Sequence, residues 1–236
     1  MNRQSPFSYV CNACGRCCRE KVITLSPYDV TRLARAAAIS TAEAVRRFTI
    51  RRGAILKFGD DGRCVALDGV RCGVHRGRPL ACRLYPLGLE RNGSLERFIK
   101  IEPATGSLGV CGEESTVNDF LTSQDTAVHL DAIARYSTLL PIFRERIAAL
   151  VDFERIEPRE FWRCARREAL AESGYDPNRL IDALFDSDAF GSLDAHVQGL
   201  AELINRTQDA PTIAAAAVML ATSLGYSPDV VMPEQP

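Results

Sequence analysis

Eight of the nine cysteines crowd into the first 111 positions: Cys11, Cys14, Cys17, Cys18, Cys64, Cys72, Cys82 and Cys111. Only Cys164 lies beyond them. The first four make the run C-x2-C-x2-C-C. Thiolates two residues apart can turn toward one metal centre, and Gly15 gives the loop freedom to wrap around it. A C-x2-C-x2-C run completed by a remote cysteine also suits a cubic iron–sulfur cluster. The second set is spaced C-x7-C-x9-C-x28-C, without the paired close spacing of structural zinc sites. The pattern therefore favours one or two [4Fe-4S] clusters, with zinc, alone or beside one cluster, as the alternative. Eight ligands divide most simply into two sites of four. Neighbouring side chains tend to diverge, which constrains Cys17 and Cys18; three of the first four cysteines could serve one centre while the fourth crosses to another. The spacing does not say how the remaining cysteines divide.

Other side chains around this set could take part. Arg78 and Arg83 bracket Cys82, with Tyr85 just after, and could donate charge-assisted hydrogen bonds to cluster sulfurs or a bound anion. Their structural reading is pairing with acidic residues and fixing of the loop, with Tyr85 a packed aromatic. His75 follows Cys72 by three residues and could replace a thiolate. Cys164, in FWRCARR on an expected helix, reads as a packed thiol. His129 and His196, also on expected helices, read as ordinary polar residues. Asp60-Asp61-Gly62 reads as a turn because it lacks the repeated oxygen ligands of a calcium loop. Glu113 and Glu114 are general bases only if they face a cleft. No phosphate-binding glycine loop, dinucleotide fingerprint or hydrolase nucleophile elbow is present.

The elements that must position these residues form an α+β pattern. An irregular, metal-organised region with short strands and helices covers residues 1–120, and a mainly helical region covers 121–236, the two possibly packed as one unit. Ser26 and Pro27 open a helix with Val30, Leu33, Ala34 and Ala37 along one stripe, and Ser40 or Thr41 opens a second carrying Val45 and Phe48. Lys21 to Leu25 alternates weakly enough for a short strand. AILKF, CVAL and RFIKI read as short strands between turns, with a hairpin turn at Asn92-Gly93. Pro141 interrupts the apolar pattern of 124–150 and predicts a kink or two helices. Further helices are expected over 158–171, 177–186, 193–206 and 211–224, the last buried on most faces.

At 236 residues and 46% hydrophobic, the chain can fill a core without disulfide staples. The longest apolar run, Ile213 to Ala221, is too short to span a bilayer, which takes about 18 residues or more. No apolar stretch of signal-peptide length precedes Cys11, so a cytoplasmic setting is expected, where dense cysteines serve metals rather than disulfides. The net charge of -1 hides an asymmetry. Residues 1–120 hold 19 Lys and Arg against 12 Asp and Glu, and residues 121–236 hold 10 against 18. Thiolates offset much of that positive excess once they ligate. Nucleic-acid binding is disfavoured, because the aromatic pattern of RNA modules is missing.

C11-N-A-C-G-R-C-C18, the helix LSPYDVTRLARAAAIS, C64-V-A-L-D-G-V-R-C72 and H75-R-G-R-P-L-A-C82-R-L-Y-P86, with Cys111 last, resemble the CxxCxxCC cysteine-cluster family of bacteria and archaea. The resemblance covers about residues 9–112 and implies zinc or iron chelation with all eight cysteines as ligands. Cluster-containing flagellin lysine methylases look similar at these cysteines, yet no methyl-donor or substrate feature accompanies them here. The resulting expectation is an iron–sulfur protein acting in electron transfer or in cluster-dependent modification of a protein or peptide. The alternative is a non-catalytic zinc-binding or metal-organised interaction module. Whether the chain is an enzyme stays open, as do its oligomeric state and its protein, peptide or redox partner.

Overall fold

The computed structural model describes residues 1–92, 95–152, 155–171 and 180–232. Strand β1 (Pro6–Val10) is followed by a 3-10 turn at Arg16–Cys18 and helices α1 (Pro27–Ala37) and α2 (Thr41–Phe48). Short strands β2 (Thr49–Ile50), β3 (Ile55–Leu56), β4 (Leu67–Asp68) and β5 (Arg71–Cys72) lead into α3 (Leu80–Leu84). Then come β6 (Leu87–Asn92), β7 (Leu95–Lys100) and β8 (Val110–Thr116). The rest is helical: α4 (Val117–Ser123), α5 (Ala127–Ser137), α6 (Leu139–Leu150), α7 (Pro158–Leu170), α8 (Leu180–Ala183), α9 (Leu193–Arg206) and α10 (Ala210–Ser223). Every sheet is a two-stranded antiparallel pair, β1 with β8, β2 with β3, β4 with β5 and β6 with β7, which makes the fold α+β.

Local signals act where expected at the helix starts. Ser26 caps α1 in a reciprocal capping box with Asp29, and Ser40 caps α2. The apolar pattern of 124–150 breaks at Thr138 rather than at Pro141. Pro141 falls in the first turn of α6, where a missing N–H leaves no helical bond unmade. Two expectations are corrected. Lys21 to Leu25 is not a strand, since only Thr24 makes an isolated bridge, to Ile55. CVAL is not one either, because Cys64 makes only an isolated bridge, to Phe58, and strand pairing begins at Leu67. The β6–β7 register pairs Asn92 with Leu95, while Gly93 of the expected turn lies outside the described residues, as do all of residues 172–179 and with them the start of the helix expected over 177–186.

One apolar cluster runs through both halves, from Phe7 and Leu33 to Phe143, Ala216 and Val231. Helix α10 lies inside it, with Ile213 to Ala221 all buried, and packs against α6, α7 and α8. Small alanine side chains let three helices approach one axis. The seam between the halves is polar and closely bonded. The Arg52 Nε donates to the Asp182 carboxylate at 2.8 Å, both residues being buried. The Thr41 backbone N–H and hydroxyl donate to Asp188 and Asp186 at 2.6 and 2.7 Å.

Candidate metal centre

Seven of the eight clustered cysteines line a single cavity of about 660 Å³: Cys11, Cys14, Cys17, Cys18, Cys64, Cys72 and Cys82. Cys111 is placed beside it by register, facing Tyr9 across the β1–β8 pair, and Tyr9 itself lines the cavity. All nine cysteines are free. Residues 11–20 form the cavity's lip by left-handed turns at Ala13, Gly15 and Glu20. Gly15 suits that place, having φ +69° and a position where a Cβ would come within 3.1 Å of the Val70 carbonyl oxygen.

Backbone bonds fix the positions of the remote cysteines. The Cys64 N–H donates to the Cys18 carbonyl at 2.9 Å, and Glu20 N–H to Gly62 O at 2.9 Å, so the first loop lies along the 58–64 turn. That turn is the one expected at Asp60-Asp61-Gly62, with Asp61 accepting from the Arg63 N–H and Gly62 at φ +72°. The β4–β5 hairpin pairs Cys72 with Leu67. Cys82 rides on α3, whose first N–H, Leu80, donates to Asp29 Oδ1 at 2.9 Å. Asp29 is buried and also accepts from the Ser26 N–H and hydroxyl and from His129 Nδ1 at 2.9 Å. Gly77 lets this segment reach α1, because a Cβ there would overlap the Arg32 carbonyl.

Neighbouring side chains do not diverge at the vicinal pair. The Cys17 and Cys18 sulfurs lie 3.8 Å apart, which corrects the expectation from local geometry; the 3-10 turn at Arg16–Cys18 swings both inward. The Cys18 thiol donates to Cys17, which pulls Cys17 down to about 7, helped by Arg78 and Lys21, and pushes Cys18 up. Burial raises Cys64, Cys72 and Cys82, the last further through Cys64 and Cys72. Without a cation these thiols keep their protons, because neighbouring thiolates repel in a place poor in water; a bound metal reverses that balance and displaces the protons. Cys14 is different: backbone N–H groups of Leu108 and Arg16 lower it.

The residues fit a metal by donor chemistry, soft thiols facing shared space. Among the described residues, no three Cys, His, Asp or Glu side chains converge closely enough to hold a single ion. Arg78 borders the cavity, and its Nε is buried with no partner among the described residues, leaving an N–H for a sulfur; its guanidinium also contacts His75 and Gln124. Arg83 is buried and directs its guanidinium to the carbonyls of Arg76, Arg78 and Gln124 at 2.8 to 3.1 Å, bracing the loop from behind. The Tyr85 hydroxyl accepts from the Ala104 N–H, and its ring meets Tyr9 edge-on. Burial raises Tyr85, and burial with Cys11 pushes Tyr9 up to about 12. His75 lines the cavity close to Arg78. Glu114 accepts from the Ser8 hydroxyl, and neither Glu113 nor Glu114 lines the cavity. Cys164 is remote on α7, its thiol donating to Glu160 at 3.5 Å.

Residues 10–104 match the model of the family CxxCxxCC, described as "Putative zinc- or iron-chelating domain". The similarity is confined to this stretch of the first half. The match supports metal binding by this part of the chain, and it stops short of Cys111. No curated protein and no solved structure matches the chain. No helix among the described residues is long and apolar enough to cross a membrane.

Sequence reasoning missed three features of the site. Strands β1 and β8, 100 residues apart, carry Cys11 and Cys111 to one edge; neither strand has a clean alternation to announce it. Tyr9 was overlooked for the same reason. His129 and His196 are not ordinary surface residues but are buried, His129 on Asp29 and His196 between the Tyr136 hydroxyl and the Ala183 carbonyl.

Proposed function

We propose that the chain is an iron–sulfur protein working in electron transfer or in cluster-dependent modification of a protein or peptide. Residues 1–120 hold the metal and 121–236 form its helical support. The observation that carries this reading is seven cysteines around one roomy cavity with no three gathered on a point. A single tetrahedral ion draws its sulfurs together, whereas a multi-iron core interposes its own sulfides and leaves protein thiolates farther apart. When bound, such a centre supplies one-electron chemistry or, with an open iron, a Lewis acid.

The chain's own side chains have separable roles. The eight cysteines bind, Arg78 offers its unpartnered Nε–H to the cavity, Tyr85 and Tyr9 line it, and Arg83 fixes the loop between Cys72 and Cys82. Free thiols throughout suit a reducing compartment such as the cytoplasm. The zinc-module reading has one observation in its favour. A separation of 3.8 Å between the Cys17 and Cys18 sulfurs equals the edge of a tetrahedron with metal–sulfur bonds of about 2.3 Å.

Anaerobic purification, followed by iron, zinc and acid-labile sulfide analysis with an absorption spectrum on the same sample, separates the two. Iron and sulfide in equal amounts, with a broad visible absorption bleached by dithionite, are expected. Stoichiometric zinc without sulfide, retained after growth in iron-rich medium, sinks the iron–sulfur reading in favour of a metal-organised interaction module.

A further inference from the structure

The cysteines are held by two frames that meet at the vicinal pair and where Gly15 packs against the Val70 backbone. The outer frame is β8 with the loop leading into it. Cys111 sits on β8 opposite Tyr9, and Val10 pairs with Val110, so Cys11 leaves β1 at that same edge. The loop before β8 grips the cysteine run directly: the Leu108 N–H donates to the Cys14 sulfur at 3.5 Å, and the Asn12 amide donates to the Leu108 carbonyl at 2.7 Å. This edge is open to solvent, with Cys11 exposed and Val10 and Val110 each 60% exposed.

The inner frame is the 58–72 turn and hairpin together with α3. It takes hold of Cys18 through the Cys64 N–H, places Cys72 beside Ala66 through the Gly73 N–H bond at 2.8 Å, and presents Cys82 from α3. Cys64 is buried. Cys17 precedes the residue bonded to the inner frame and continues the two-residue spacing of Cys11 and Cys14.

We infer that the chain holds two unlike, abutting four-thiolate centres: an outer one on Cys11, Cys14, Cys17 and Cys111, and an inner one on Cys18, Cys64, Cys72 and Cys82. The 3.8 Å between the Cys17 and Cys18 sulfurs is where they touch. Cys111, beyond the matched family segment, thereby becomes a ligand, and the outer centre is the one that meets solvent or a partner. This rests on the metal-binding reading and is independent of which metal is bound.

The test counts metal per full-length chain, prepared anaerobically, in Cys111→Ser, Cys11→Ser, Cys64→Ser and two double variants. Far-UV circular dichroism checks folding. Each single variant is expected to lose half of the wild-type metal. Cys11→Ser with Cys111→Ser loses no more than either alone, whereas Cys111→Ser with Cys64→Ser loses all of it, since substitutions within one site are not additive and those in separate sites are. A second readout is the rate of removal by a chelator. Wild type is expected to give a fast and a slow phase, and Cys111→Ser only the slow one. Retention of full metal by folded Cys111→Ser overturns the assignment, as does total loss in the Cys11, Cys111 double variant. If Cys64→Ser fails to fold, the solvent-edge variants and the chelation phases still decide. Zinc in place of iron and sulfide defeats the iron reading alone and leaves the count valid; a metal-free wild type defeats both.

Discussion

The two halves of the molecule are built by different physics. In residues 117–232, helix α10 is surrounded by apolar side chains, and stability follows from area removed from water. In residues 6–116 the strands form two-stranded ribbons, β2–β3 and β4–β5 with only two residues in each strand, and two-stranded ribbons are marginal by themselves. There the thiols face one another across a cavity beside the apolar cluster to which Phe7, Leu33 and Phe48 belong. The comparison teaches that the cysteine half borrows order from two sources: a helical neighbour through a polar seam, and a cation that joins the thiols.

The sharpest way to break this comparison is to remove the metal. Structural metal binding contributes on the order of 10 kcal/mol in small domains. Chelation under reducing conditions is expected to abolish amide-exchange protection in residues 11–20 and 58–84 while α10 stays protected. Equal loss in both regions, read by hydrogen exchange, contradicts the division.

Cutting the seam comes next. Asp182→Ala leaves the buried Arg52, among the described residues, with only the more distant Glu168, at 3.5 Å, and is expected to cost about 3–5 kcal/mol in denaturant unfolding. A two-state transition shared by near-ultraviolet and metal-band signals shows that both halves feel the loss; a change confined to one signal shows that they unfold separately.

The smallest effect sharpens the helical side. Burial holds His196 below its ordinary value of 6.5, so the folded state keeps it neutral while the unfolded chain takes a proton. Its contribution is complete above that value and is lost as pH falls toward the lowered one, at most about 1.4 kcal/mol per unit. His196→Gln is expected to flatten the decline in stability as pH falls below about 6.5. An unchanged slope assigns the decline to other groups.

Much was legible in the sequence where the signal is local. The caps at Ser26 and Ser40, helices α7, α9 and α10, and the buried face of Ile213 to Ala221 follow from residue type and periodicity, because a helix satisfies its backbone within its own segment. The cysteine run and the family resemblance identified the metal-binding half for a similar reason: the spacing lies within a single loop. The β1–β8 pair, the inward turn of both Cys17 and Cys18, the role of Asp29 as a hub and the burial of His129 were not legible. Each depends on partners about 45 to 110 positions away, whose approach depends on packing and loop closure rather than on local preference. Residue types alone therefore determined that this chain gathers thiols for a metal. Only the tertiary structure decided which thiols share a frame, since that depends on which backbone segments hydrogen-bond across the fold.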